Sequence, residues 1–104
     1  MSKLIHNNSS FLRLLLETTS AQAYCLLTTI TPAQALSLSE ISLNLLTLPL
    51  SSRQKRIVKK EEKILKKLSQ KSLKSNLRLK LIAKKKKDIY KVLIHFKEPL
   101  LKLL

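Results

Sequence analysis

Residues 51–68, SSRQKRIVKKEEKILKKL, constrain the fold more than any other stretch of the chain. Projected at about 100° per residue, Ile57, Val58, Ile64, Leu65 and Leu68 fall within about 120° of arc, with Glu61 an acidic residue among them. Lys55, Arg56, Lys59, Lys60, Lys63, Lys66 and Lys67 fill the opposite side. A segment divided in this way is stable as a helix that buries one face and leaves the other charged. Ser51 followed three residues later by Gln54 has the form of a capping box, which marks where that helix starts.

The rest of the chain agrees with helix. Glycine is absent, the aromatic residues are only Phe11, Tyr24, Tyr90 and Phe96, and Leu and Lys, both helix formers, are abundant, with Ala and Gln beside them. A β-rich chain would carry turn glycines and more aromatic and β-branched residues. The expected fold class is all-α: a small antiparallel helical cluster with a basic amphipathic helix and a basic C-terminal helical extension. At 104 residues and 44% hydrophobic, the chain is one domain at most, with enough apolar surface to fold.

Taken in order, residues 1–8 are polar and expected to fray. Asn8, Ser9 or Ser10 caps a helix over 11–18 with an apolar stripe of Phe11, Leu12, Leu15 and Leu16. A near-repeat follows, Thr19-Ser-Ala-Gln22-Ala23 and then Thr31-Pro-Ala-Gln34-Ala35. Each has the T-x-x-Q capping pattern, and Pro32 takes the first helical position, where its missing N–H costs nothing. These predict helices over 20–29, turning Leu26, Leu27 and Ile30 inward, and over 32–47, with a stripe of Ala35, Leu38, Ile41, Leu45 and Leu46. Pro49 then breaks the chain. Ser69 to Ser75 is a polar break in which Ser72 or Ser75 caps a segment containing Leu73, Leu77, Leu81 and Ile82. Ile89, Val92, Leu93 and Phe96 recur at helical spacing beyond the lysine run 84–87, and Pro99 ends them before a leucine-rich tail. The domain reading is an N-terminal helical cluster over 1–68, which includes the basic helix 51–68, and a basic helical extension with an apolar tail over 69–104.

Charge carries the functional signal. Residues 1–50 hold Lys3, Arg13, Glu17 and Glu40, for a net of zero, so the whole +15 lies in residues 51–104. A split this sharp points to a packing half joined to an anion-binding half. Lysines aligned on a helix neutralise phosphates and release counterions. Lys outnumbers Arg 17 to 4, and a lysine is a point charge without the bidentate fork that reads bases, so backbone contact is expected. The expected phosphate contacts are Lys55, Arg56, Lys59, Lys60, Lys63, Lys66, Lys67, Lys84, Lys85, Lys86 and Lys87, and the expected partner is nucleic acid. Two other classes compete. Residues 89–104, with Tyr90, Phe96 and the LLKLL ending, have the make-up of a helix for an anionic membrane surface, or of an apolar tail used for self-association, and residues 1–50 could pair with a partner protein such as a capsid protein.

Catalysis is not expected. A chain without glycine has no P-loop, dinucleotide fingerprint or nucleophile elbow. His6 and His95 are far apart, no Cys/His spacing reads as zinc, and adjacent Glu61 and Glu62 diverge by about 100° on a helix. No cofactor or metal is implied. Glu61 is expected to pack its stem at the core edge and pair its head with Lys or Arg, and Cys25 to be a buried small hydrophobe. No apolar stretch reaches the roughly 18–20 residues of a membrane span, and nothing at the N-terminus reads as a secretory signal, so the nucleus or a virion interior is the expected location.

The order of elements, LLTTITPAQALSLSEISLNLL, then PLSSRQKRIVKKEEKILKKLSQKSL, then a basic segment and an apolar tail, resembles small basic proteins of invertebrate DNA viruses and Maverick/Polinton-type (adintovirus-like) elements. Some of these have been likened to adenovirus core protein X, a minor DNA-condensing virion protein. The resemblance covers residues 11–104 and implies a packaging role in which residues 53–87 contact genome phosphates. Two features depart from it: this chain has no Gly-Gly before its tail, and it uses lysine where core protein X uses arginine.

Overall fold

Two complete capping boxes start the helices on which the fold is built. Thr31 Oγ1 accepts from the Gln34 N–H at 3.2 Å while Gln34 Oε1 accepts from the Thr31 N–H at 3.0 Å. Ser51 and Gln54 do the same at 3.2 and 3.1 Å. Thr19 forms half a box, accepting from the Gln22 N–H at 3.3 Å, because the Gln22 side chain is bonded to the Thr18 hydroxyl instead. The computed structural model describes residues 3–104, Leu103 in backbone only. The described helices are α1 (Lys3–Asn7), α2 (Ser9–Glu17), α3 (Ser20–Thr28), α4 (Pro32–Thr47), α5 (Ser52–Lys60), α6 (Glu62–Ser69), α7 (Ser75–Lys84), α8 (Lys86–His95) and α9 (Lys97–Leu103). No strand occurs among the described residues, and the fold is all-α.

A chain without glycine has to end helices without the left-handed cap, and no described residue has positive φ. It uses two devices instead. Thr18, Leu48 and Gln70 leave their helices in extended conformation and turn the chain. Asn8, Glu61, Lys85 and Phe96 sit at φ −106° to −109° and ψ 16° to 21°, the bridge region, and bend the chain without stopping it. Helical bonding resumes across each bend, as in Leu65 N–H to Glu61 O at 3.1 Å and Ile89 N–H to Lys85 O at 2.9 Å. Length explains the bends at Lys85 and Phe96. Residues 75–103 as one straight helix would reach about 43 Å, whereas the longest dimension of the molecule is 33 Å.

α4 is central, packing against α1, α6 and α7. It presents Ala35, Leu38, Ile41 and Leu45 to the core as the spacing predicts, and buries Ser37, Ser39 and Ser42 as well. Their hydroxyls donate to Gln34 O, Ala35 O and Leu38 O at 2.6, 3.3 and 2.8 Å, so no polar group is stranded and small side chains line the contact. α3 packs on α7 and α8, with Tyr24 and Tyr90 edge-to-face at 5.6 Å and 84°.

Several expectations need correction. Lys3 to Asn7 form a helix with Ile5 buried, and Asn8 Nδ2 donates back to Leu4 O at 2.8 Å, so this stretch is anchored; Met1 and Ser2 lie outside the described residues. Cys25 is exposed, because α3 turns Ala23 and Leu27 inward. Helix 51–68 is bent at Glu61 into α5 and α6. Lys74, not a serine, precedes α7, with no side-chain cap. On α7 the fully buried Ile82 sets the inward face, and Arg78 one turn earlier shares it, leaving Leu77 46% exposed. Pro99 lies in the first turn of α9, where it needs no N–H partner, and the preceding helix ends at Phe96.

Residues 69–104, expected as an extension, contribute Ile82, Ile89, Val92, Leu93, Phe96 and Leu100 to the core that holds Leu12, Leu38 and Leu68. The radius of gyration, 12.5 Å, matches the about 13 Å of a single globule this long and leaves no projecting arm. The physical reason is the apolar spacing itself: a fully apolar stripe at 89, 92, 93 and 96 is stable only when covered.

Candidate functional site

α5 and α6 carry the basic face because Val58, Leu65 and Leu68 are buried beneath it. Turning those three inward puts Lys55, Arg56, Lys59, Lys60, Lys63, Lys66 and Lys67 outward, and all seven are exposed. Ile57 and Ile64 are half-buried at the edge of the core. The bend at Glu61 leaves this division intact. Glu61 is half-buried, as expected for its stem, but its carboxylate forms no ion pair among the described residues; Glu62 takes the cation instead.

That pair is Lys66 Nζ to Glu62 Oε1 at 2.8 Å, one turn apart on α6, and it is the only ion pair among the described residues. The hydrogen bond from Lys66, then its charge, and the more distant charge of Lys59, hold the Glu62 carboxyl below the usual carboxylate range. Both partners are largely exposed, so the contact organises the surface and adds little stability. Lys55, Lys59 and Glu62 also line a shallow groove with Leu45, Leu46, Leu48, Leu50 and Val58, at the junction of α4 and α5.

The second basic stretch is divided. Lys84 and Lys87 are exposed, whereas Lys85 and Lys86 are half-buried. Lys85 is the bend residue between α7 and α8, and Lys86 Nζ donates to Thr28 Oγ1 at the end of α3, 3.4 Å away. The two stretches sit on neighbouring elements, since α5 packs on α8 and α6 on α7. Arg53, Lys71, Lys74, Lys80 and Lys91 are exposed too, and the reading by runs passed over them. Their signal was the charge of the whole second half, not any cluster. Arg78 is different: it is 4% exposed, its Nη2 donates to Gln70 O at 3.2 Å, and its buried Nε has no partner.

Other chemistry has little to work with among the described residues. No group of three or more His, Cys, Asp or Glu is placed to hold a metal ion. An apolar concavity of about 410 Å³, where α1, α2, α4, α8 and α9 meet, is lined by leucines that include Leu12, Leu15, Leu16 and Leu45, each no more than 4% exposed. The aromatic rings are committed to packing: Phe96 is 1% exposed, Phe11 packs on the core, and the tyrosines face each other. No described helix is long and apolar enough to cross a membrane. Compared with family models, curated proteins and solved structures, the chain matches none.

Proposed function

We propose that this protein binds nucleic acid without sequence preference through the lysine face of α5 and α6, with Lys84 and Lys87 beside it, and condenses it. The observation that carries this reading is that only one ion pair occurs among the described residues, so most cations of residues 51–104 stand on folded helices without a carboxylate partner there. Holding so many like charges on a small globule opposes folding by self-repulsion. An external polyanion relieves that repulsion. Lys55 to Lys67 place seven cations along about 18 Å of helix, one per roughly 2.6 Å. A duplex carries one phosphate per about 1.7 Å of axis, so the two linear charge densities are of the same order.

Duplex is the favoured form of the ligand, because no aromatic ring is free to stack on unpaired bases. A membrane surface is the weaker reading. A surface-bound helix buries its apolar face in lipid, and here Ile89, Val92, Leu93, Phe96 and Leu100 are already spent in the core. The resemblance to small basic proteins of invertebrate DNA viruses and Maverick/Polinton-type elements is consistent with a packaging role for such binding.

The test is duplex affinity of the full chain as a function of salt. Six to ten phosphate contacts give a log–log slope of about −5 to −9. Reversing Lys59, Lys63 and Lys67 to Glu, which spares the Lys66–Glu62 pair, should flatten the slope by about 3 and weaken all sequences alike. A slope near zero for the native chain would overturn the reading. Loss confined to one sequence would replace it with a specific reader.

A further inference from the structure

We propose that the groove at the junction of α4 and α5 docks an acidic amphipathic helix of a partner protein, with its apolar side chains on the leucines and its carboxylates on Lys55 and Lys59. The groove carries two chemistries side by side. Leu46, Leu48 and Leu50 line one part of it, Leu48 being 48% exposed, with buried Val58 beside them. Lys55 and Lys59, one turn apart on α5, line the other part. Both are exposed, and neither has a carboxylate partner among the described residues. Glu62, the acidic residue of the groove, is bonded to Lys66 at 2.8 Å and feels the charge of Lys59 only at longer range. Lys55 and Lys59 are thus left to an acid from outside.

Charge and size select the occupant. Covering the leucines draws Lys55 and Lys59 out of water, and a cation leaves water without a large cost only against an opposite charge. A second copy of this chain would bring a further +15 to the same place. A duplex supplies phosphates to the lysines but leaves Leu48 bare, since its backbone carries no apolar side chain. The volume, about 290 Å³, is at the bottom of the roughly 300–1,000 Å³ range of small-molecule sites, so it suits one or two anchoring side chains and not a whole ligand. An acidic helix meets both needs: an apolar stripe covers the leucines, and a flanking row of carboxylates at i and i+4 repeats the spacing of Lys55 and Lys59. Groove binding does not depend on the nucleic-acid reading. Because Lys55 and Lys59 also belong to the proposed duplex face, the docked helix would compete with nucleic acid there.

The experiment measures binding of the full chain to two labelled peptides of about 14 residues, some four helical turns, by fluorescence anisotropy at about 0.15 M salt. Both contain only Glu and Leu in equal proportions. One places its leucines at i, i+3, i+4 and i+7, and the other shuffles them to break the stripe. The striped peptide should bind at least about tenfold tighter. Leu48→Gln should weaken it about tenfold, with helicity by circular dichroism and duplex affinity both unchanged. Lys55→Gln combined with Lys59→Gln should weaken peptide and duplex together. Equal affinity for the two peptides would mean attraction by charge alone and overturn the proposal. So would indifference to Leu48→Gln, or no binding of either peptide at about 1 mM. A chain that binds the striped peptide but no duplex would sink the nucleic-acid reading and keep this one; duplex binding without peptide binding would do the reverse.

Discussion

Arg78 shows what a side chain tolerates when a neighbour fixes its direction. Ile82 must be buried, Arg78 lies one turn before it, and the guanidinium enters the protein with it. What holds it there is the C-terminal end of α6, where Gln70 O accepts from Nη2 at 3.2 Å and the helix dipole favours a cation. The arrangement is incomplete, since Nε is buried and unpaired, and Gln70 O already accepts from the Leu73 N–H at 3.3 Å. Arg78→Met keeps the volume, removes the stranded donor and leaves that carbonyl bonded. Urea denaturation should show stability unchanged or raised by about 1–2 kcal/mol. A fall of more than about 1 kcal/mol would mean that the bond to Gln70 outweighs the stranded N–H.

At the scale of elements, the start signals differ in completeness, and stability should follow. Ser51 belongs to a closed box, Thr19 to half of one. Ser51→Ala should cost about 1 kcal/mol, and Thr19→Ala less, both measured as a shift in urea midpoint at unchanged slope. Ser51→Ala keeps the backbone donor of the reciprocal bond, so Gln54→Ala tests it, and no loss in that variant would show that the bond contributes nothing. These starts were legible because a cap is a local arrangement of four residues. The helix ends were legible only where a proline marks one, as at Thr47 ahead of Pro49. The bends at Lys85 and Phe96 occur at residues with no breaking tendency, and they arise because a straight rod would leave the globule.

For the whole molecule the question is how many residues share the core. Leu68, Ile82, Val92 and Phe96 are all within 1% of full burial, in one cluster with Leu12, Leu15 and Leu38. Removing residues 69–104 strips a wall from that core, so a chain of residues 1–68 should show no cooperative unfolding transition by circular dichroism. A sharp transition in the short chain would make the C-terminal third an appendage after all. The candidate site divides in the same way. The outward lysines of α5 and α6 could be read from the sequence, because the side opposite a buried stripe must face solvent. The partial burial of Lys86 could not, because the hydroxyl that meets it, at Thr28 on the end of α3, is 58 residues away in the chain.

The amino-acid order alone determined the helical class, the three capped starts at Thr19, Thr31 and Ser51, and the confinement of positive charge to the second half, since each depends on neighbours within a few residues. Only the tertiary structure decided that the last third closes the core, that Arg78 is inside while Leu77 and Cys25 are outside, and that a leucine-lined groove stays open beside Lys55 and Lys59. The reason is the same in each case. An apolar pattern says that a face must be covered, but what covers it is settled by segments distant in sequence competing for a limited interior.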